Sequence, residues 1–124
     1  HAAWMADEIE TFWRGFTHEY RALWEANPTS GDVGALLDAA GRHQAQAQEF
    51  AMVMRDLAGF AGMEMIRRTI GYAQVSDYAL CSDRTGEKDA RLRARALGRT
   101  LGTRGRRIET IGALLETIEE PVGF

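Results

Sequence analysis

Arg67 and Arg68 stand side by side in an otherwise apolar segment, Phe60–Tyr72, and they are the residues of this chain best suited to chemistry. A guanidinium is permanently charged and offers a planar fork of N–H donors matched to the oxygens of a phosphate or carboxylate. Where charge spreads over phosphoryl oxygens during group transfer, a cation fixed beforehand at that place lowers the barrier. Neighbours on a helix lie about 100° apart, so two adjacent arginines cannot share one solvated stripe with all their apolar neighbours. At least one is expected to face something worth holding. A purely structural reading is also open: Arg68 pairs with Glu64 one turn back, and Arg67 pairs elsewhere on the surface.

The elements that position the pair are all helical by their periodicity. Met5, Ile9, Phe12, Trp13, Phe16, Tyr20, Leu23 and Trp24 recur at spacings of three and four. They predict one long helix over Ala2–Ala26 with an aromatic stripe turned to the core. Pro28 and Gly31 end it, and Asp32 is placed to cap a short helix through Ala40. A further helix is expected from Arg42 to Leu57, buried through Phe50, Val53, Met54 and Leu57, with Gln44, Gln46 and Gln48 facing out. Gly59 either breaks this run or lets another helix pass very close. The arginine helix follows over Phe60–Tyr72, with Met63, Ile66 and Ile70 as its apolar side. Gln74–Cys81 reads as a turn and connection. Asp83 or Thr85 would cap a helix from Glu87 to Leu101, Gly102–Gly105 reads as a turn, and Arg107–Ile118 is the last helix. No alternating strand pattern and no internal repeat are visible. The expected fold class is all-α, a bundle of about five helices forming a single domain over residues 1–124.

Composition narrows the functional classes. The chain has 124 residues, 45% apolar and 27% charged, which suits one globular domain with a core of its own. A single cysteine, Cys81, forbids an internal disulfide and fits a reducing cytoplasm; it is read as a structural thiol. No apolar run reaches the length of a membrane span, so no membrane partner is expected. Residues 84–107 carry nine basic side chains against Glu87 and Asp89, within a chain whose net charge is −3. That stripe lacks aromatic residues that could stack on bases and reads as a solvated face pairing with acidic neighbours, not as a nucleic-acid surface. His18-Glu19 has no second histidine four residues on, His43 lies among glutamines, and no metal-ligand or nucleophile constellation is present.

Residues 59–78, GFAGMEMIRRTIGYAQVSDY, resemble the C-terminal lobe of S-methyl-5-thioribose kinase, of the protein-kinase-like superfamily that includes the aminoglycoside and choline kinases. Ile9–Trp24 is similar to that family's aromatic FW-x-x-F helix, and Ala96-Leu97-Gly98-Arg99 to its later L-G-R helix. The resemblance implies a helical piece of a longer two-lobed kinase, and the opening on His1 instead of methionine fits a segment cut from something longer. It further implies an enzyme that moves the γ-phosphoryl group of ATP, with magnesium, to the 1-hydroxyl of methylthioribose in methionine salvage. The role it carries over is substrate binding by Arg67 and Arg68. Where relatives often have histidine after the alanine, this chain has Gln74, which cannot titrate and is left out of the site.

The rest of a kinase is missing from these residues. There is no glycine-rich nucleotide loop, no phosphate-binding strand lysine, no catalytic loop and no acidic magnesium motif. The segment is therefore expected to hold no catalytic residue and no metal, and to be inactive alone, with ATP and magnesium bound elsewhere in the full-length enzyme. The alternative is a stand-alone helical module that holds an anionic ligand or partner through Arg67 and Arg68. Either way, exposed apolar surface is expected to make the isolated chain a homodimer or otherwise self-associated.

Overall fold

The computed structural model describes residues 2–27, 36–70 and 84–121. Among them the architecture is all-α. Helix α1 spans Ala2–Ala26, α2 Ala39–Thr69, α3 Arg84–Arg104 and α4 Ile111–Glu119, with a 3₁₀ turn, Gly105–Arg107, ahead of α4. The expected Asp32 cap, the Gln74–Cys81 connection, Cys81 and Asp83 lie outside the described residues. The chain divides into two compact units, His1–Val53 and Met54–Phe124. Helix α2 supplies residues to both.

In the first unit, α1 occupies the span its periodicity predicts. Trp13 and Phe50 are its buried aromatics, their rings edge-on at 6.3 Å, and Tyr20 meets the Phe50 ring at 5.4 Å in the same manner. The guanidinium of Arg21 lies 5.0 Å over the Phe50 ring, a cation–π contact on the surface side of the cluster. The aromatic stripe is wider than the surface that α2 offers it. Met5, Phe12, Phe16 and Leu23 remain exposed along one edge, whereas the sequence pattern placed them in the core. Gln46 departs in the opposite direction. Expected to face out, it is buried, and its Oε1 has no hydrogen-bond partner. Helix α2 starts where the Asp38 carboxylate accepts from the Gly41 N–H at 2.7 Å, an N-cap that satisfies one orphan donor of the first turn.

The two helices expected over Arg42–Leu57 and Phe60–Tyr72 are one. Gly59 does not break α2, and a Cβ there would meet nothing within 4 Å; the glycine that makes room is Gly105. A Cβ on Gly105 would lie 3.1 Å from the Gly59 nitrogen, so the 3₁₀ turn passes directly over that glycine. One turn on, the approach is closer still. A Cβ on Gly62 would fall 2.6 Å from both the Gly98 carbonyl oxygen and the Gly102 nitrogen, and one on Gly98 would fall 2.8 Å from the Gly62 oxygen. Backbone meets backbone here, and only glycine fits. Gly102 is not the expected turn either: α3 continues through it to Arg104, with the Gly102 backbone nitrogen at the crossing beside Gly62.

Met54, Ala58, Leu101, Ile108 and Leu114 are the buried apolar residues of the second unit. Each large side chain among them contributes about 1.5–3 kcal/mol by leaving water. Helix α4 begins later than the apolar pattern suggests, because the Thr110 hydroxyl accepts from the Ala113 N–H at 3.2 Å and sets the N-cap there. Beyond Met54, the buried side of α2 in this unit consists of small residues, Ala58, Gly62 and Thr69, while the expected Met63 and Ile70 are exposed and Ile66 is half-buried. Close packing on glycine turns the bulky residues outward, onto the same side of the helix as the arginines.

Candidate functional site

Helix α2 brings Arg67 and Arg68 to its last turn, where both side chains are about half exposed, at 54% and 49%. Cations at a helix C-terminus are favoured, because the unpaired carbonyls there carry partial negative charge. The same field repels anions. Any attraction this helix end has for an oxyanion must come from the guanidiniums and not from the backbone.

Glu64 joins the pair. Arg67 donates from Nε to Glu64 Oε1 at 2.9 Å and from Nη2 to Oε2 at 2.8 Å. Arg68 donates from Nε to the same Oε2 at 3.3 Å. The spacings are i,i+3 and i,i+4, the two separations that place helical side chains on one face. One carboxylate thus serves two guanidiniums. It consequently stays ionised far into acid: the Arg67 hydrogen bond pulls its pKa down, partial loss of water pushes it up, and the Arg68 hydrogen bond and both positive charges lower it further, to about 2. Arg67 is raised in turn, first by its hydrogen bond to Glu64.

The arrangement combines the two readings that the sequence left open. Arg68 does pair with Glu64, as the structural reading expected, but Arg67 joins the same carboxylate and makes the tighter contact. The convergence was legible in the spacing of Glu64, Arg67 and Arg68, had both separations been weighed together. Phe60, Met63 and Ile70 are exposed around Arg67 on the same face of α2, so the cations stand within an apolar surround. Gln74 lies outside the described residues.

The basic stripe of α3 is organised differently. Arg91 pairs with Glu87 at 2.7 Å, and Arg104 pairs with Glu120 at 3.3 Å, the latter with both side chains well exposed. Arg95, Arg99 and Arg104 line an open groove of about 560 Å³ between α3 and α4, together with Thr100, Thr103 and Thr117. The three threonine hydroxyls donate to carbonyls of their own helices, so they present no free donor to the groove. Among the described residues, no group of three or more His, Cys, Asp or Glu side chains is placed to hold a metal ion. No helix among them is long and apolar enough to cross a membrane.

No family model matches the chain, and no solved structure matches it. Curated proteins do. A methylthioribose kinase of Escherichia coli O45:K1 is 30% identical over 118 residues, covering 92% of this chain and 28% of that kinase. One of Yersinia enterocolitica is 33% identical over 113 residues, covering 91% and 27%. One of Geobacillus thermodenitrificans is 39% identical over 102 residues, covering 81% and 22%. The resemblance to methylthioribose kinase carried by residues 59–78 therefore extends along most of the chain. The chain spans about a quarter of the length of the curated relatives it matches.

Proposed function

From a chain similar to methylthioribose kinases over nine-tenths of its length, we propose that these residues are the helical C-terminal part of such an enzyme, one domain of a two-lobed kinase. The full-length protein transfers the γ-phosphoryl group of ATP to the 1-hydroxyl of methylthioribose, in the cytoplasm. ATP and magnesium are held by residues outside this chain, and the chain alone performs no transfer. Its contribution is electrostatic: Arg67 and Arg68 orient the sugar and offset negative charge developing on the transferred group.

The observation that carries this reading is the twin-arginine turn itself. Two half-exposed guanidiniums share one carboxylate and so retain a net positive charge. The apolar residues around them, Met63 and Ile70, suit a substrate whose thioether end is apolar and whose reacting end becomes anionic.

Steady-state kinetics of a full-length kinase carrying this chain test the assignment. Arg67→Ala and Arg68→Ala should each lower turnover by about 10²-fold, the magnitude typical of losing one transition-state donor, with little change in thermal stability. Near-normal turnover in both variants contradicts the role.

A further inference from the structure

We infer that Glu64 is the positioning residue of the twin-arginine site: its carboxylate grips the inner edges of both guanidiniums and leaves their outer edges for an oxyanion. The inference rests on the reading of Arg67 and Arg68 as an oxyanion site. Two ways of using Glu64 are open, and the hydrogen-bond geometry decides between them. A carboxylate that blocked the site would occupy the Nη1/Nη2 edges, which present two parallel donors to a phosphoryl group. Glu64 instead takes Nε and Nη2 of Arg67 and only Nε of Arg68. Among the described residues, Nη1 of Arg67 and both terminal nitrogens of Arg68 make no hydrogen bond. The free donors are those that form the outer edge of the fork.

Glu64 also solves a problem that the pair creates. Two guanidiniums on adjacent residues repel one another, and each sits on a long side chain with many rotamers. Without a shared anchor they would splay apart, and an arriving anion would have to gather them. The bidentate contact to Arg67 fixes one plane, and the shared Oε2 draws Arg68 to the same point. The ordering is complete before a ligand arrives, which is what preorganisation requires. One negative charge against two positive ones leaves the site cationic, so Glu64 aligns the pair without cancelling it. The anchor rests on helical spacing alone and therefore needs no other element of the fold.

Electrostatics and positioning predict opposite signs for one substitution, and that makes the inference testable. Removing the Glu64 charge raises the local positive potential and, by itself, tightens anion binding. Removing the anchor loosens it. The experiment is a titration of the 124-residue chain with inorganic phosphate, read from the Nε–Hε resonances of Arg67 and Arg68 in the unaltered chain and from backbone amides of α2 in the variants. Glu64→Gln should weaken phosphate binding by about tenfold. Glu64→Gln made in an Arg67→Ala background should add little, because the two side chains act as one unit. Unchanged or tighter binding by Glu64→Gln, with binding lost in Arg67→Ala and Arg68→Ala, overturns the positioning role and leaves the oxyanion site standing. Phosphate binding indifferent to both arginine substitutions removes the site, and the inference with it.

Discussion

Helices α2 and α3 are both rich in arginine, yet they use it in opposite ways. In α2 the two cations are consecutive, converge on Glu64 at the last turn, and keep a net positive charge in an apolar surround. In α3 the cations are distributed along the helix, and Arg91 has its own acidic partner one turn away. Exposed pairs of the α3 kind contribute about 0–1 kcal/mol and are screened by salt. What separates a candidate site from a solvated face is therefore not the number of arginines. It is convergence: two forks on one carboxylate, against several forks spread along a helix with Arg91 and Arg104 on separate acidic partners.

The largest expected effect breaks that comparison directly. In a full-length kinase, alanine at Arg67 or Arg68 should cost about 10²-fold in kcat/KM, while Arg95→Ala or Arg99→Ala should change it less than about twofold. Equal losses from both helices would mean that the α3 groove is part of the substrate path and that convergence is the wrong criterion.

A second prediction concerns the scaffold under both arginine groups. Gly62→Ala and Gly98→Ala each drive a methyl into backbone at under 3 Å. Each should destabilise by about 1–3 kcal/mol, read as a lowered midpoint in chemical denaturation. Gly15→Ala, where nothing lies within 4 Å, should be neutral or slightly stabilising. If Gly62→Ala matches Gly15→Ala, the close crossing does not hold α2 to α3.

A smaller effect separates Glu64 from an ordinary surface carboxylate. Its folded pKa, about 2, lies below the usual value of 4.5. A depressed carboxylate contributes stability that is present above its unfolded pKa and is lost as pH falls from there toward 2. Side-chain carboxyl NMR should place the Glu64 midpoint near 2 at low salt and move it upward in high salt, as screening weakens both arginine contacts. A midpoint near 4.5 at low salt would show that the pair does not converge in solution. The least drastic prediction concerns helix α1. The exposed edge of Met5, Phe12, Phe16 and Leu23 should make the isolated chain self-associate, and Phe12→Ser with Leu23→Ser should shift its sedimentation toward monomer.

The sequence made the helices legible where one rule acted alone. α1 runs over the span that its apolar spacing predicts. Legibility failed where two rules competed. Gly102 reads as punctuation because glycine disfavours helix interiors, and Gly59 reads equally as a break or as a close approach, yet both sit inside helices. The glycines that the packing requires are Gly62, Gly98 and Gly105, a requirement visible only once the partner helix is in place. The stripe on α1 was read as core because apolar spacing does not say how wide a surface awaits it. The candidate pair itself was legible from residue type and from the motif around it. The part played by Glu64 was half legible, since the spacing pairs it with either arginine but does not say that it takes both, or by which edge.

The most direct test of convergence is an NMR titration of the arginine Nε–Hε resonances of this chain with inorganic phosphate. A saturable shift confined to Arg67 and Arg68, with Arg95 and Arg99 unmoved, is the expected result. Shifts that are weak, unsaturated and equal across all four arginines would contradict the account, and would make the twin arginines one more solvated part of a helical surface.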